Sequence, residues 1–112
     1  MAIKINKPWG FEELIEINKK YMFKKLYMKK GHRCSLQFHN KKHETVFVLS
    51  GKLKLTLKKK NRFFFKIMTK GQSITISPKT IHRMQAISNC HYLEASTPEI
   101  KDVVRIQDDY RR

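Results

Sequence analysis

Residues 31 to 51 read Gly31-His32-Arg33-Cys34-Ser35-Leu36-Gln37-Phe38-His39-Asn40-Lys41-Lys42-His43-Glu44-Thr45-Val46-Phe47-Val48-Leu49-Ser50-Gly51. Side chains alternate between the two faces of a strand, so Arg33, Ser35, Gln37 and His39 share one face and Cys34, Leu36 and Phe38 the other. Glu44 opens the next strand after a four-residue turn. Thr45 to Leu49 is apolar and strand-sized, and Ser50-Gly51 turns the chain into Lys52 to Leu57. There Leu53, Leu55 and Leu57 alternate with Lys52, Lys54 and Thr56, the pattern of a half-buried hairpin strand.

The same signals extend in both directions. Pro8-Trp9-Gly10 marks an early turn, Phe11 to Ile17 alternates loosely, and Tyr21 to Met28 reads as a strand of large apolar and basic residues. Phe63 to Met68, Ser73 to Ile76, Met84 to Ile87 and His91 to Ala95 follow, with turns at Lys70-Gly71, Ser77-Pro78 and Ser88-Asn89. Eight or so strands in 112 residues imply an all-β sandwich, jelly roll or small barrel, and a single domain over residues 1–112. A short C-terminal tail stands apart. Thr97-Pro98-Glu99 suits a helix start, and Val103-Val104-Arg105-Ile106 suits an extended strand equally well.

The net charge of +16 raises nucleic acid, anionic lipid and small anionic substrates as partners. Its distribution argues against nucleic acid, because the lysines are scattered, form no amphipathic helix, and make one longer run, Lys58-Lys59-Lys60-Asn61-Arg62, where a hairpin tip belongs. Lysine excess also follows from base composition alone. No apolar run approaches the roughly 20 residues of a membrane span, and no secretory signal opens the chain, so a cytoplasmic protein without a membrane partner is expected. Cys34 and Cys90 show no metal or redox spacing and read as reduced packing residues.

Gln37, His39, Glu44 and His82 are the candidate metal ligands. Gln37 and His39 share a strand face, Glu44 opens the following strand, and His82 follows a turn begun by Pro78. Such nitrogen and oxygen donors suit a divalent ion, zinc first, with manganese, iron, nickel and cobalt as alternatives. His43 lies in the turn, and His32 and His91 have no partner at metal-like spacing, so all three are assigned to surface or packing.

The spacing Gly31-x5-Gln37-x-His39-x4-Glu44-x6-Gly51 resembles the first motif of the cupin family, and Gly71, Pro78 and His82 resemble its second. This resemblance implies a double-stranded β-helix, a jelly-roll barrel. Lys7-Pro8-Trp9-Gly10, Ser35-Leu36-Gln37-Phe38-His39, His82-Arg83-Met84, and Glu94 through Asp108-Asp109-Tyr110-Arg111 are similar to the cupin module of type II mannose-6-phosphate isomerases and the stand-alone cupins like it. In that branch glutamine commonly replaces the first histidine of the motif, which accommodates Gln37. The chain departs at Pro78-Lys79-Thr80-Ile81-His82, which lacks the glycine and one residue of the usual turn. No nucleotidyltransferase segment is read before the cupin, so guanylyltransferase activity is not inherited.

What the branch implies is a metal-dependent isomerase or epimerase acting on a sugar phosphate or nucleotide sugar, with a small anionic sugar as substrate. Glu94, which alternation groups with Tyr92 and Ser96, and Lys24 are the candidate proton-transfer residues. Arg33, on the Gln37 face, is the candidate for a phosphate or sugar oxygen. A non-enzymatic ligand-binding cupin and a metal-dependent dioxygenase are the alternatives, and open strand edges together with family habit suggest a homodimer.

Overall fold

The computed structural model describes residues 2–110; Met1, Arg112 and Arg111, the last residue of the C-terminal stretch quoted above, lie outside the described residues. Eleven strands form β1 (Ile3–Lys7), β2 (Gly10–Ile17), β3 (Met22–Met28), β4 (Leu36–Phe38), β5 (Glu44–Ser50), β6 (Leu53–Lys59), β7 (Arg62–Met68), β8 (Ser73–Ile76), β9 (His82–Ala86), β10 (Cys90–Ser96) and β11 (Val104–Gln107). Every pairing is antiparallel. Two sheets result, one ordered β1-β2-β3-β10-β5-β8 and the other β11-β4-β9-β6-β7. This is the expected all-β jelly roll. Among the described residues no helix is long and apolar enough to cross a membrane.

Alternation fills the space between the sheets. From β3 come Met22, Lys24, Leu26 and Met28; from β5, Glu44, Val46 and Val48; from β10, Cys90, Tyr92 and Glu94, all buried. Opposite them stand Leu53, Leu55, Met84 and Ala86. Register sorts this interior into two ends. Glu94 lies across from Lys24 on one side and Val46 on the other, and Gln37 across from His82, whereas Leu53 lies across from Met68 and Ala86. One end of the barrel is ionisable and the other is apolar.

Two parts of the sequence reading change. The tail resolves as a strand, because β11 pairs with β4 and places Arg105 across from Gln37. The shared face of Arg33 and Gln37 does not hold. Arg33 bridges Gln85 while Gln37 pairs with His82, so four residues advance on one strand against three on the other. That one-residue slip inverts the alternation. Cys34 turns inward, and Arg33 turns outward to form a bidentate ion pair with Asp109, its Nε and Nη2 at 2.6 and 2.9 Å from the carboxylate.

Gly51 and Gly71 share a left-handed backbone, at φ 82° and 85°, and differ in surroundings. A Cβ at Gly51 meets the Asn89 carbonyl oxygen at 2.2 Å, whereas one at Gly71 meets nothing within 4 Å. Gly71→Ala is expected to cost only the conformational strain, about 1–2 kcal/mol. Gly51→Ala, which must also displace the backbone before β10, is expected to cost at least twice about that much. Paired denaturant titrations check the difference; equal losses would contradict it.

Candidate metal centre and cavity

Three strand boundaries bring the ionisable end together. His39 follows β4 directly, Glu44 opens β5 and His82 opens β9, and all three are buried. Their donor atoms lie within 4.8 Å of one another. Glu44 Oε1 is 3.4 Å from His39 Nε2 and 3.1 Å from His82 Nε2, and Glu44 Oε2 is 3.4 Å from Lys42 Nζ.

The other nitrogen of each ring decides what these atoms are. His39 Nδ1 lies 2.5 Å from the Asp102 carbonyl oxygen and His82 Nδ1 2.8 Å from that of Thr80. A carbonyl only accepts, so each Nδ1 carries a proton and donates it. In the neutral ring Nε2 is then a lone pair aimed at Glu44. Among the described residues none of His39 Nε2, His82 Nε2 and Glu44 Oε1 has a hydrogen-bond partner. Three converging acceptors repel one another unless a proton or a cation sits among them. The two separations from Glu44 Oε1, 3.4 and 3.1 Å, suit the second option, since donors about 2.0–2.2 Å from one ion stand roughly 3.0–3.5 Å apart. Nδ1 donation to a carbonyl is also how metal-bound histidines are usually held.

Burial opposes ionisation of Glu44, yet the two imidazoles and Lys42 hold its carboxyl well below the usual range. Burial likewise disfavours the His82 imidazolium, but Glu44 outweighs it and raises the ring's pKa. Lys42 is raised in the same way, burial being overcome by Glu94 and Glu44.

The shortened turn before His82 does not pull it away. Lys79 takes a left-handed backbone, φ 66°, where the usual motif has its glycine, and its N–H donates to the His39 carbonyl at 2.6 Å. Gln37 lines the same cavity, its Oε1 accepting the Ser35 hydroxyl at 2.6 Å. An amide oxygen has a second lone pair, so this bond leaves one free.

The cavity measures about 250 Å³ and is walled by carboxylates and cations in near balance. Glu94 and Lys24, both expected from sequence, line it. Burial and the Glu44 charge push the Glu94 carboxyl up to about 7 against the pull of Lys42 and Lys24. Lys24 Nζ lies 3.4 Å from Glu12 Oε1, with Lys7 Nζ at 3.8 Å from the same oxygen. Lys24 Nζ thus donates to a carboxylate, a donor's place in the cavity rather than a base's. Arg33 is absent from the lining and Arg105 is present.

Glu12, Lys42, Asp102 and Arg105 escaped the sequence reading. Glu12 is one of two adjacent glutamates with no local sign of which faces inward, and Lys42 sits in a turn that reads as surface. The Tyr92 hydroxyl, fully buried on the cavity wall and unpartnered, was visible through alternation with Glu94.

This barrel with its histidine and glutamate cluster at one end defines a cupin. The chain belongs to the mannose-6-phosphate isomerase C-terminal family, whose model matches residues 1–108. It is 28% identical over 113 residues to mannose-1-phosphate guanylyltransferase 2 of Escherichia coli O157:H7, covering 96% of this chain and 23% of that protein. To the alginate biosynthesis protein AlgA of Pseudomonas aeruginosa it is 26% identical over 117 residues, covering 97% and 23%. It thus spans about a quarter of these relatives' length. Among solved structures it resembles CapF from Staphylococcus aureus (TM-score 0.82, 14% identity, 96% of this chain and 34% of that one). Oxalate decarboxylase from Bacillus subtilis (TM-score 0.83, 15%, 94% and 30%) and KdgF from Halomonas sp. (TM-score 0.77, 12%, 88% and 90%) share the fold.

Asp102 fixes the loop that carries His39. Its carboxylate accepts the backbone N–H groups of Asn40, Lys41 and Lys42 at 2.7–2.9 Å, and these bonds lower its pKa to about 2. A depressed carboxylate pKa contributes stability above its unfolded value, 3.8, that is lost as pH falls through about 2. Asp102→Ala is therefore expected to lower stability at neutral pH and to flatten the acid limb between those values. Thermal melts across that range check it, and a variant with an unchanged acid limb would contradict it.

Proposed function

We propose that this chain is a metal-dependent isomerase or epimerase acting on a sugar phosphate or nucleotide sugar. The observation carrying this reading is the convergence of the lone pairs on His39 Nε2, His82 Nε2 and Glu44 Oε1, unpartnered, at the base of a charged cavity. His39, Glu44 and His82 would hold the ion, with Gln37 as fourth ligand. When bound, a divalent ion supplies Lewis-acid stabilisation of the negative charge that develops on a carbonyl oxygen. Zinc is the first expectation. Manganese gains support from the fold, since the oxalate decarboxylase it resembles has Mn(II) centres.

The chain's own residues supply the rest. Glu94, with a carboxyl near 7, is matched to take the proton from the carbon beside a carbonyl and return it to the neighbouring carbon. Lys24, paired across from it, favours the ionised form of Glu94 and offers a donor to substrate oxygen. The Tyr92 hydroxyl offers another. Arg105 replaces Arg33 as the anion-binding residue, because it lines the cavity and makes no ion pair among the described residues. Lys7 and Lys42 add positive charge around it. Mannose-phosphate chemistry in the relatives' names favours a phosphorylated hexose or its nucleotide-activated form. The homodimer expected from open sheet edges belongs to the same reading.

Metal analysis of purified protein is expected to find one divalent ion per chain, lost in His39→Ala and in His82→Ala. Solvent proton exchange at the carbon beside the carbonyl is expected with at least one member of a hexose-phosphate and nucleotide-hexose panel. Glu94→Gln should slow that exchange by about 10²–10⁴-fold with metal content intact. Protein that takes up no metal and exchanges no proton with any of these sugars would end the proposal.

A further inference from the structure

The acidic residues are unevenly placed. None of the nine falls between Thr45 and Leu93, a span holding eight lysines and two arginines. Within it the β6–β7 hairpin turns through Lys60 and Asn61, both left-handed at φ 49° and 63°, the conformation of a tight two-residue hairpin turn. β7 is the open edge of its sheet. Phe63, Phe64, Phe65 and Ile67 on that edge are 48, 49, 64 and 50% exposed.

Register gives this patch its shape. Phe63, Phe65 and Ile67 pair with Lys58, Thr56 and Lys54 on the outer face, while Phe64 pairs with Leu57 on the inner face and still stands in solvent. Lys54 Nζ sits 4.3 Å from the Phe65 ring centre and Lys58 Nζ 5.6 Å from that of Phe63. Scattered exposed apolar residues are ordinary, but three consecutive phenylalanines on an unpartnered edge form a patch of the kind that marks an interaction site.

We propose that the β6–β7 edge docks on an anionic bilayer surface. Phe63, Phe64 and Phe65 enter the boundary between headgroups and acyl chains. Lys58, Lys59, Lys60, Arg62 and Lys66 meet lipid phosphates, their aliphatic stems lying along the rings and their charges in the headgroup layer. Charge complementarity selects this occupant. A second copy paired along β7 would offer the Lys58-Lys59-Lys60 tip no acid, since none lies between Thr45 and Leu93. Base stacking would use Phe63 and Phe65 on one face and leave Phe64, on the other, in water. A bilayer interface accepts apolar groups on both faces of an edge strand. Neither β6 nor β7 contributes a residue to the cavity, so docking and the chemistry of the cavity are separable. The sequence reading expected no membrane partner because it sought spans and amphipathic helices, and this feature is neither.

Flotation with vesicles of phosphatidylcholine and phosphatidylglycerol, with pure phosphatidylcholine as control, tests the proposal on the full chain. Binding is expected to the anionic vesicles only, and to fall by about tenfold or more in Phe63→Ser/Phe64→Ser/Phe65→Ser, whose lysines are intact. A milder variant, Phe65→Ser alone, is expected to lose part of the affinity, and an unchanged melting curve confirms that it folds. Three results would overturn the idea. One is no vesicle binding. Another is binding indifferent to the phenylalanines, which is charge adsorption alone. The third is a phenylalanine-dependent affinity for single-stranded oligonucleotide, or a phenylalanine-dependent dimer, in place of vesicle binding.

Discussion

A carboxylate almost wholly withdrawn from water, Glu44 at 2% exposure, sets the terms for one end of this barrel. An isolated buried carboxylate is too costly to keep ionised, so its surroundings must compensate it. Here compensation arrives from two places: His39 and Lys42 in the turn between β4 and β5, and His82 at the start of β9. The histidines are in turn oriented by carbonyls, those of Asp102 and Thr80. The polar end of the molecule is therefore a chain of dependencies in which each ring position is fixed by backbone that the tail or a turn supplies.

The same constraint explains the chemistry of the cavity. Glu94 is close enough to Glu44 to feel its charge, and both are buried, so the two cannot ionise with equal ease. Glu44, facing the imidazoles and Lys42, takes the charge, and Glu94 is left near neutrality with a carboxyl around 7. Two carboxylates of one type acquire opposite tendencies from environment alone, the division of labour that acid–base chemistry requires. Glu12 stands apart from this competition because Lys7 and Lys24 neutralise it.

Much of the fold is legible because alternation is local. Leu53, Leu55 and Leu57 announce their face within five residues, and Gly51 announces the turn before them. His39, Glu44 and His82 are legible because motif spacing records how strands return to one place. Arg33 misleads for a physical reason: a single extra residue between its bridge and β4 reverses the face of everything before it, and nothing in the local pattern marks where it falls. Asp102 and Arg105 are hidden for another. Their partners lie some sixty residues away, at Asn40 to Lys42 and at Gln37, and a tail that pairs only with β4 carries little apolar periodicity to declare itself. Long-range polar contacts leave no period in the sequence.

The uneven charge follows from the same economy of acids. Four of the nine acidic residues, Glu12, Glu44, Glu94 and Asp102, line the cavity, and Asp109 is engaged by Arg33. Five of the nine acids thus serve the cavity or Arg33, and none of the nine lies on β6, β7 or β9. Unopposed lysines on a folded surface repel one another, a modest destabilisation that screening reduces and a buried core tolerates. Base composition can account for how many lysines there are, and not for where the acids sit. Segregation with exposed aromatic rings at its centre is a different pattern, because it places apolar surface where the local field is most positive. An interface that is both anionic and apolar is the environment in which those two features cease to be liabilities together.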